Sequence, residues 1–152
     1  MKNVIIAILS LFAVLLSGCN TLTLKPGDFS WPVESVLKVN EKGIIQDPRH
    51  CFSVNVKALS FAEFQDSTAI KTTLRIIRDV EGYYYITAPK FKDVYVFEDA
   101  EGSLQLKKFI PVKEQGLESP AFNQRVPYIQ LINENDPVLL LNKEGIHEGA
   151  KK

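Results

Sequence analysis

Ile76-Ile77-Arg78-Asp79-Val80-Glu81-Gly82-Tyr83-Tyr84-Tyr85-Ile86-Thr87 is the stretch that decides the fold. Both flanks are rich in β-branched and aromatic residues, which favour extended chain. The centre is a turn written in side-chain chemistry. Asp at the first position caps a type I turn with its carboxylate, and Gly at the last takes the left-handed conformation and forms the bulge that returns the chain. Such a turn joins antiparallel strands. The same pattern recurs at Asn40-Glu41-Lys42-Gly43, Asp99-Ala100-Glu101-Gly102 and Asn142-Lys143-Glu144-Gly145. Four such turns predict a hairpin-rich, all-β domain.

The segments between these turns carry the expected period of two. Phe52, Val54, Val56 and Ala58 alternate with Ser53, Asn55 and Lys57, and Ile70, Thr72, Leu74 and Ile76 with Lys71, Thr73 and Arg75. Over Asp93 to Glu98, Val94 and Val96 fall on one face and Tyr95 and Phe97 on the other. Leu104 to Val112, Arg125 to Ile132 and Val138 to Asn142 complete the series, the last two joined across Asn133-Glu134-Asn135-Asp136-Pro137. About eight or nine antiparallel strands favour a sandwich or a small barrel. Two stretches resist the pattern. Ser60 and Glu63 fit a capping box, so a short helix near 60–66 competes with a strand there. Lys113 to Gln124, with Gly116 and Pro120, reads as an irregular connection, either a functional loop or a crossover between two sheets.

The chain begins differently. Met1-Lys2-Asn3 carries one positive charge, and Val4 to Leu16 is apolar except for Ser10. As a helix this run spans only ~20 Å, short of the ~20 residues a permanent crossing needs and suited to the apolar core of a signal peptide. Leu16-Ser17-Gly18-Cys19 closes it and resembles the lipobox of bacterial lipoproteins. That resemblance implies cleavage between Gly18 and Cys19, diacylation of the Cys19 thiol and acylation of the new amino terminus. Asn20, where an Asp would mean inner-membrane retention, implies the periplasmic face of the outer membrane in a Gram-negative host. On this division residues 1–18 are the signal peptide, 19–32 the acylated N-terminus and tether, 33–148 a single β domain, and 149–152 a charged tail. Phe29 and Trp31 near the end of the tether either dock it onto the domain or form a contact patch.

Composition narrows the function. With Lys2 removed the mature chain carries 17 basic and 18 acidic side chains. That balance argues against nucleic acid as a partner and leaves no polybasic patch for anionic lipid. Once Cys19 is acylated, Cys51 is the sole thiol, so no intramolecular disulfide can form. Cys51 has His50 beside it, but neighbours on a strand point to opposite faces, so only His147 could activate it. Cys51 reads more simply as a small buried hydrophobe. The nucleophile-elbow, zinc-protease and phosphate-loop motifs are absent, and no metal or cofactor is expected.

One set of side chains invites a binding role: Tyr83, Tyr85, Tyr95 and Phe97, with Lys92 and also Lys90 and Arg75 near by. On one sheet face these would suit a protein or a glycan. Turned inward, they would fill the second side of a sandwich core. The expectation is therefore a non-enzymatic envelope lipoprotein, an accessory or structural subunit held to a membrane through Cys19 and bound to an envelope protein partner. The alternative is a small-ligand or glycan binding lipoprotein; a thiol enzyme or hydrolase stands third.

Overall fold

The computed structural model describes residues 34–48, 52–68, 70, 73–101 and 103–147. The signal segment, Gly18, Cys19, the tether with Phe29 and Trp31, His50, Cys51 and the charged tail lie outside these residues. The described chain forms β1 (Ser35–Lys38), β2 (Ile44–Asp47), β3 (Phe52–Asn55), α1 (Lys57–Phe64), β4 (Thr73–Arg78), β5 (Tyr84–Thr87), β6 (Asp93–Ala100), β7 (Ser103–Pro111), β8 (Pro120–Arg125), β9 (Tyr128–Asn133), β10 (Leu139–Asn142) and β11 (Gly145–Ile146). The fold is the expected all-β sandwich, with eleven strands rather than eight or nine and no closed barrel among the described residues.

Three layers result. A central sheet runs in the order β1-β4-β5-β6-β7, and a second sheet in the order β11-β10-β9-β8. Between them lies one core, built on Ile77, Tyr85, Val94, Val96, Phe122, Ile129 and Leu131. The hairpin β2-β3 and helix α1 cover the other face of the central sheet over a second core, built on Ile45, Leu59, Leu74, Ile76, Ile86, Phe91 and Tyr95. Because both faces are covered, all four residues of β5 are buried.

Local chemistry sets the turns. Asn40 Oδ1 accepts from the amides of Lys42 and Ile44, both at 3.0 Å. Asp79 Oδ1 accepts from Glu81 and Tyr83, both at 2.9 Å, and Asn142 Oδ1 from Glu144 and Gly145 at 2.9 and 3.1 Å. Gly43, Gly82 and Gly145 follow at φ of +75°, +99° and +137°. The fourth expected turn is tighter. Pairing between β6 and β7 continues through Asp99↔Leu104 and Ala100↔Ser103, so Asp99 is a strand residue and Glu101 takes the positive φ.

Three sequence expectations are corrected. The strand expected over Phe52–Ala58 ends at Asn55, whose Oδ1 accepts from the Lys57 amide and turns the chain into α1. Ser60 does not cap that helix. It is fully buried within α1, donates from Oγ to the Asp66 carbonyl and accepts from the Ile70 amide at 3.2 Å. Finally, Arg125–Ile132 is not one strand. It turns at Val126-Pro127, a cis peptide, so Pro120–Arg125 becomes β8 rather than part of a loop and pairs with β9 from Pro120↔Asn133 to Arg125↔Tyr128.

The two sheets are fastened at their margins. Glu34, just before β1, accepts from Arg75 Nη1 of β4 at 2.7 Å and from the Phe122 amide of β8 at 2.8 Å. Lys143 in the β10–β11 turn pairs with Glu81 in the β4–β5 turn at 2.7 Å. Lys108 of β7 donates to the Glu144 carbonyl. The sandwich therefore has two distinct ends. The turn end holds the β4–β5, β6–β7, β8–β9 and β10–β11 turns and the start of β1; the loop end holds the 88–92, 112–119 and 134–138 connections. Strand β7 forms one margin of the central sheet. It exposes Leu106 and Phe109, and a bulge at Lys107 interrupts its pairing with β6 between Val96 and Phe97.

The central tyrosines give the core a pH limit. Desolvation raises the phenol pKa of Tyr84, Tyr85 and Tyr95; the Asp79 carboxylate adds to it at Tyr85, and a hydrogen bond to Glu63 adds to it at Tyr95. Folding thus favours the protonated phenols. This contribution is intact below the ordinary value of ~10 and is lost as pH climbs through the raised ones. In an alkaline titration, the last part of the tyrosinate absorbance should appear together with loss of the far-ultraviolet β signal. Complete ionisation with the β signal intact would contradict this placement.

Candidate functional site

The loop end is the most constructed surface of the domain. Its first component is the short connection Ala88-Pro89-Lys90-Phe91-Lys92 between β5 and β6. Proline fixes the backbone ahead of Lys90, and the Phe91 amide closes the turn onto the Ala88 carbonyl at 3.2 Å. Lys90 sits at φ +72°, a conformation that side-chain-bearing residues seldom adopt. It is held there by the second component, the connection from β7 to β8. The Lys90 amide donates to the Leu117 carbonyl at 2.6 Å, and the Leu117 amide donates back to Phe91 at 2.8 Å. Val112 and Lys113 both donate their amides to the Lys92 carbonyl.

Gly116 makes this approach possible. Its φ is +83°, and a Cβ there would stand 2.6 Å from the Lys90 carbonyl oxygen. The third component is the β9–β10 turn. Asn133 is 3% exposed; its Oδ1 accepts from the amides of Glu118 and Ser119, each at 3.0 Å, and its Nδ2 donates to Asp136. Asp136 also accepts from Lys113 Nζ at 2.8 Å. Hydrogen bonds from Lys113 and Asn133 hold the Asp136 carboxyl below its ordinary pKa, and the same contact raises Lys113. Three connections that are far apart in sequence thus form one braced unit.

Above this frame stand the exposed side chains of Lys90, Lys92, Glu114, Gln115, Glu118, Glu134 and Asn135. Charges of both signs on a rigid base suit recognition of another folded surface, because little ordering remains to be done on contact. His147, the single described histidine, lies at the opposite end, stacked on Tyr128 with ring centroids 4.5 Å apart. Among the described residues, no group of three His, Cys, Asp or Glu side chains is placed to hold a metal ion.

The aromatic face expected from the sequence is divided. The β4–β5 hairpin pairs Ile77 with Tyr85, but the β5–β6 hairpin pairs Tyr85 with Val96 and Tyr84 with Phe97. Tyr83 and Tyr85 therefore lie on the side of the second sheet, and Tyr95 and Phe97 on the side of α1. The reason is the spacing of the partners across that connection: eight residues separate Ile86 from its partner Tyr95, and an even count pairs even-numbered residues with odd-numbered ones. Tyr85 is fully buried and donates to Asp79 Oδ2 at 3.0 Å; Tyr95 is 5% exposed and donates to Glu63 Oε2 at 2.9 Å. Lys143 Nζ stands 5.1 Å from the centre of the Tyr83 ring. Phe97 is half-buried against the α1-side core, and Lys92 belongs to the loop end, where its amide donates to Glu63.

Two surface clefts sit elsewhere. One, of about 400 Å³, lies between the Asn40–Gly43 turn and the segment after α1, lined by Glu41, Lys57, Ser67 and Thr68. The other is a shallow depression around Asp47 and Phe52. Neither is lined by Tyr83, Tyr85 or Tyr95. Replacing Gly116 with Ala should cost about 2 kcal/mol or more, since it combines a positive φ with a backbone clash. Denaturant unfolding would measure the loss, and faster amide exchange at Leu117, Glu118 and Ser119 would locate it; unchanged exchange would contradict the bracing role. No family model, curated protein or solved structure matches the chain.

Proposed function

We propose that the chain is a lipid-anchored cell-envelope protein whose β domain presents its loop end to a protein partner, without catalysis of its own. The observation that carries this reading is the Leu16-Ser17-Gly18-Cys19 motif directly after the apolar Val4–Leu16 run. Two or three acyl chains on Cys19 make attachment lasting, whereas one chain binds marginally. The course of the chain supports the same reading. Strand β1 starts at the turn end and runs toward the loop end, so the anchored segment reaches the domain opposite to the braced connections. In a Gram-negative host the absence of Asp at position 20 assigns the protein to the periplasmic face of the outer membrane.

The partner is identified by surface chemistry. The loop end exposes acidic and basic side chains in near balance over a fixed backbone, which favours a complementary protein surface over a polyanion. Tyr83, Tyr85 and Tyr95 are spent on the cores, which weakens the glycan-binding alternative.

Two measurements test the reading. Cells fed an alkyne fatty acid should incorporate it into the wild-type chain, and Cys19→Ser should abolish incorporation and leave an uncleaved precursor; no label on the wild type would refute the anchor. A photo-crosslinking side chain at Gln115 or Asn135 should trap one discrete envelope protein, whereas the same group at Gln105 on β7 should not. Equal capture from both places would refute the loop end as the contact.

A further inference from the structure

Turn tips of soluble domains are ordinarily polar, because they project into water. At this turn end three apolar residues are exposed instead. Val80 in the β4–β5 turn is 54% exposed, Val126 in the β8–β9 turn 66%, and Ile146 at the end of β11 41%. None of the three belongs to either core. Val80 and Val126 occupy turns of different sheets, Ile146 closes β11, and the Lys143–Glu81 ion pair ties the β4–β5 turn to the β10–β11 turn. Pro127 adds a further exposed apolar ring beside Val126.

The same end receives the N-terminal chain. Glu34 is pinned between Arg75 and Phe122, and β1 runs from there toward the loop end. Residues 20–33 separate it from Cys19, a segment that spans at most about 50 Å. An acylated Cys19 therefore keeps the turn end at a high effective concentration next to the bilayer, where weak contacts suffice.

We propose that the turn end, through Val80 and Val126, rests on the surface of the bilayer that holds Cys19, so that the loop end faces away from it. The inference depends on the anchor reading above and adds an orientation to it. The contact is apolar rather than electrostatic. Arg78, Arg125 and Lys143 at this end face Asp79, Glu81, Glu101 and Glu144, so there is no basic excess and anionic lipid should not strengthen the contact.

The test uses the full lipidated chain in a Cys51→Ser background, reconstituted in vesicles of phosphatidylethanolamine and phosphatidylglycerol. An environment-sensitive fluorophore is attached to a single new cysteine at Val80, Val126, Gln115 or Asn135. At Val80 and Val126 the emission should shift to the blue and lose intensity when spin-labelled lipid is included. At Gln115 and Asn135 it should do neither. Val126→Ser should reduce the quenching of a probe at Val80. Protein that floats with the vesicles but shows no quenching at the turn end would overturn the orientation and leave the anchor standing. A blue shift there without lipid quenching would mean that a second copy of the chain covers the end, which also overturns it. Protein that fails to float would remove the anchor, and this inference with it.

Discussion

Strand β5 has no face to give to water, and that constraint places the other layers. Its four residues send Tyr85 and Thr87 one way and Tyr84 and Ile86 the other. Each direction therefore needs a cover: β8 to β11 on one side, and the β2–β3 hairpin with α1 on the other. The arrangement also fixes register. A slip of one residue would exchange the contents of the two cores, moving Tyr85 with its bond to Asp79 under the helix and Ile86 under the second sheet. Glu34 then closes the seam on the β1 side with one carboxylate shared between sheets.

What the sequence made legible was local. Asn40, Asp79 and Asn142 announce their turns because the side chain that caps each turn lies within it. Asp99 opens the same pattern, yet its turn begins only at Glu101 because the long β6–β7 ladder extends through Asp99 and Ala100. Cross-strand pairing was not legible, since it depends on the number of residues in each connection. That is why Tyr83, Tyr85, Tyr95 and Phe97 read as one face and fold as two. The β8–β9 hairpin was missed although Pro127 was visible: proline is a poor guest inside a strand, and the alternation on either side concealed the break.

The loop end shows the other limit. Gly116 and the Asn133–Pro137 stretch were visible as punctuation, but the meeting of Gly116 with Lys90 is a tertiary event. Asn133 is a surface residue by type, and it is buried because two amides of the β7–β8 connection need an acceptor there. The result is a set of connections tied to one another by backbone and side-chain hydrogen bonds. The chain forgoes flexibility at the surface with which it is proposed to bind and keeps a defined shape instead.

Strand β7 carries a consequence for crowding. A nine-residue margin with Leu106 and Phe109 outward is a template on which further chains can stack, and the hazard grows wherever molecules are concentrated in two dimensions. The irregularity at Lys107, the charges of Lys107 and Lys108, and Pro111 at the close of the strand all work against such stacking. Tolerance of high surface density is thus written into this margin of the central sheet, outside either core.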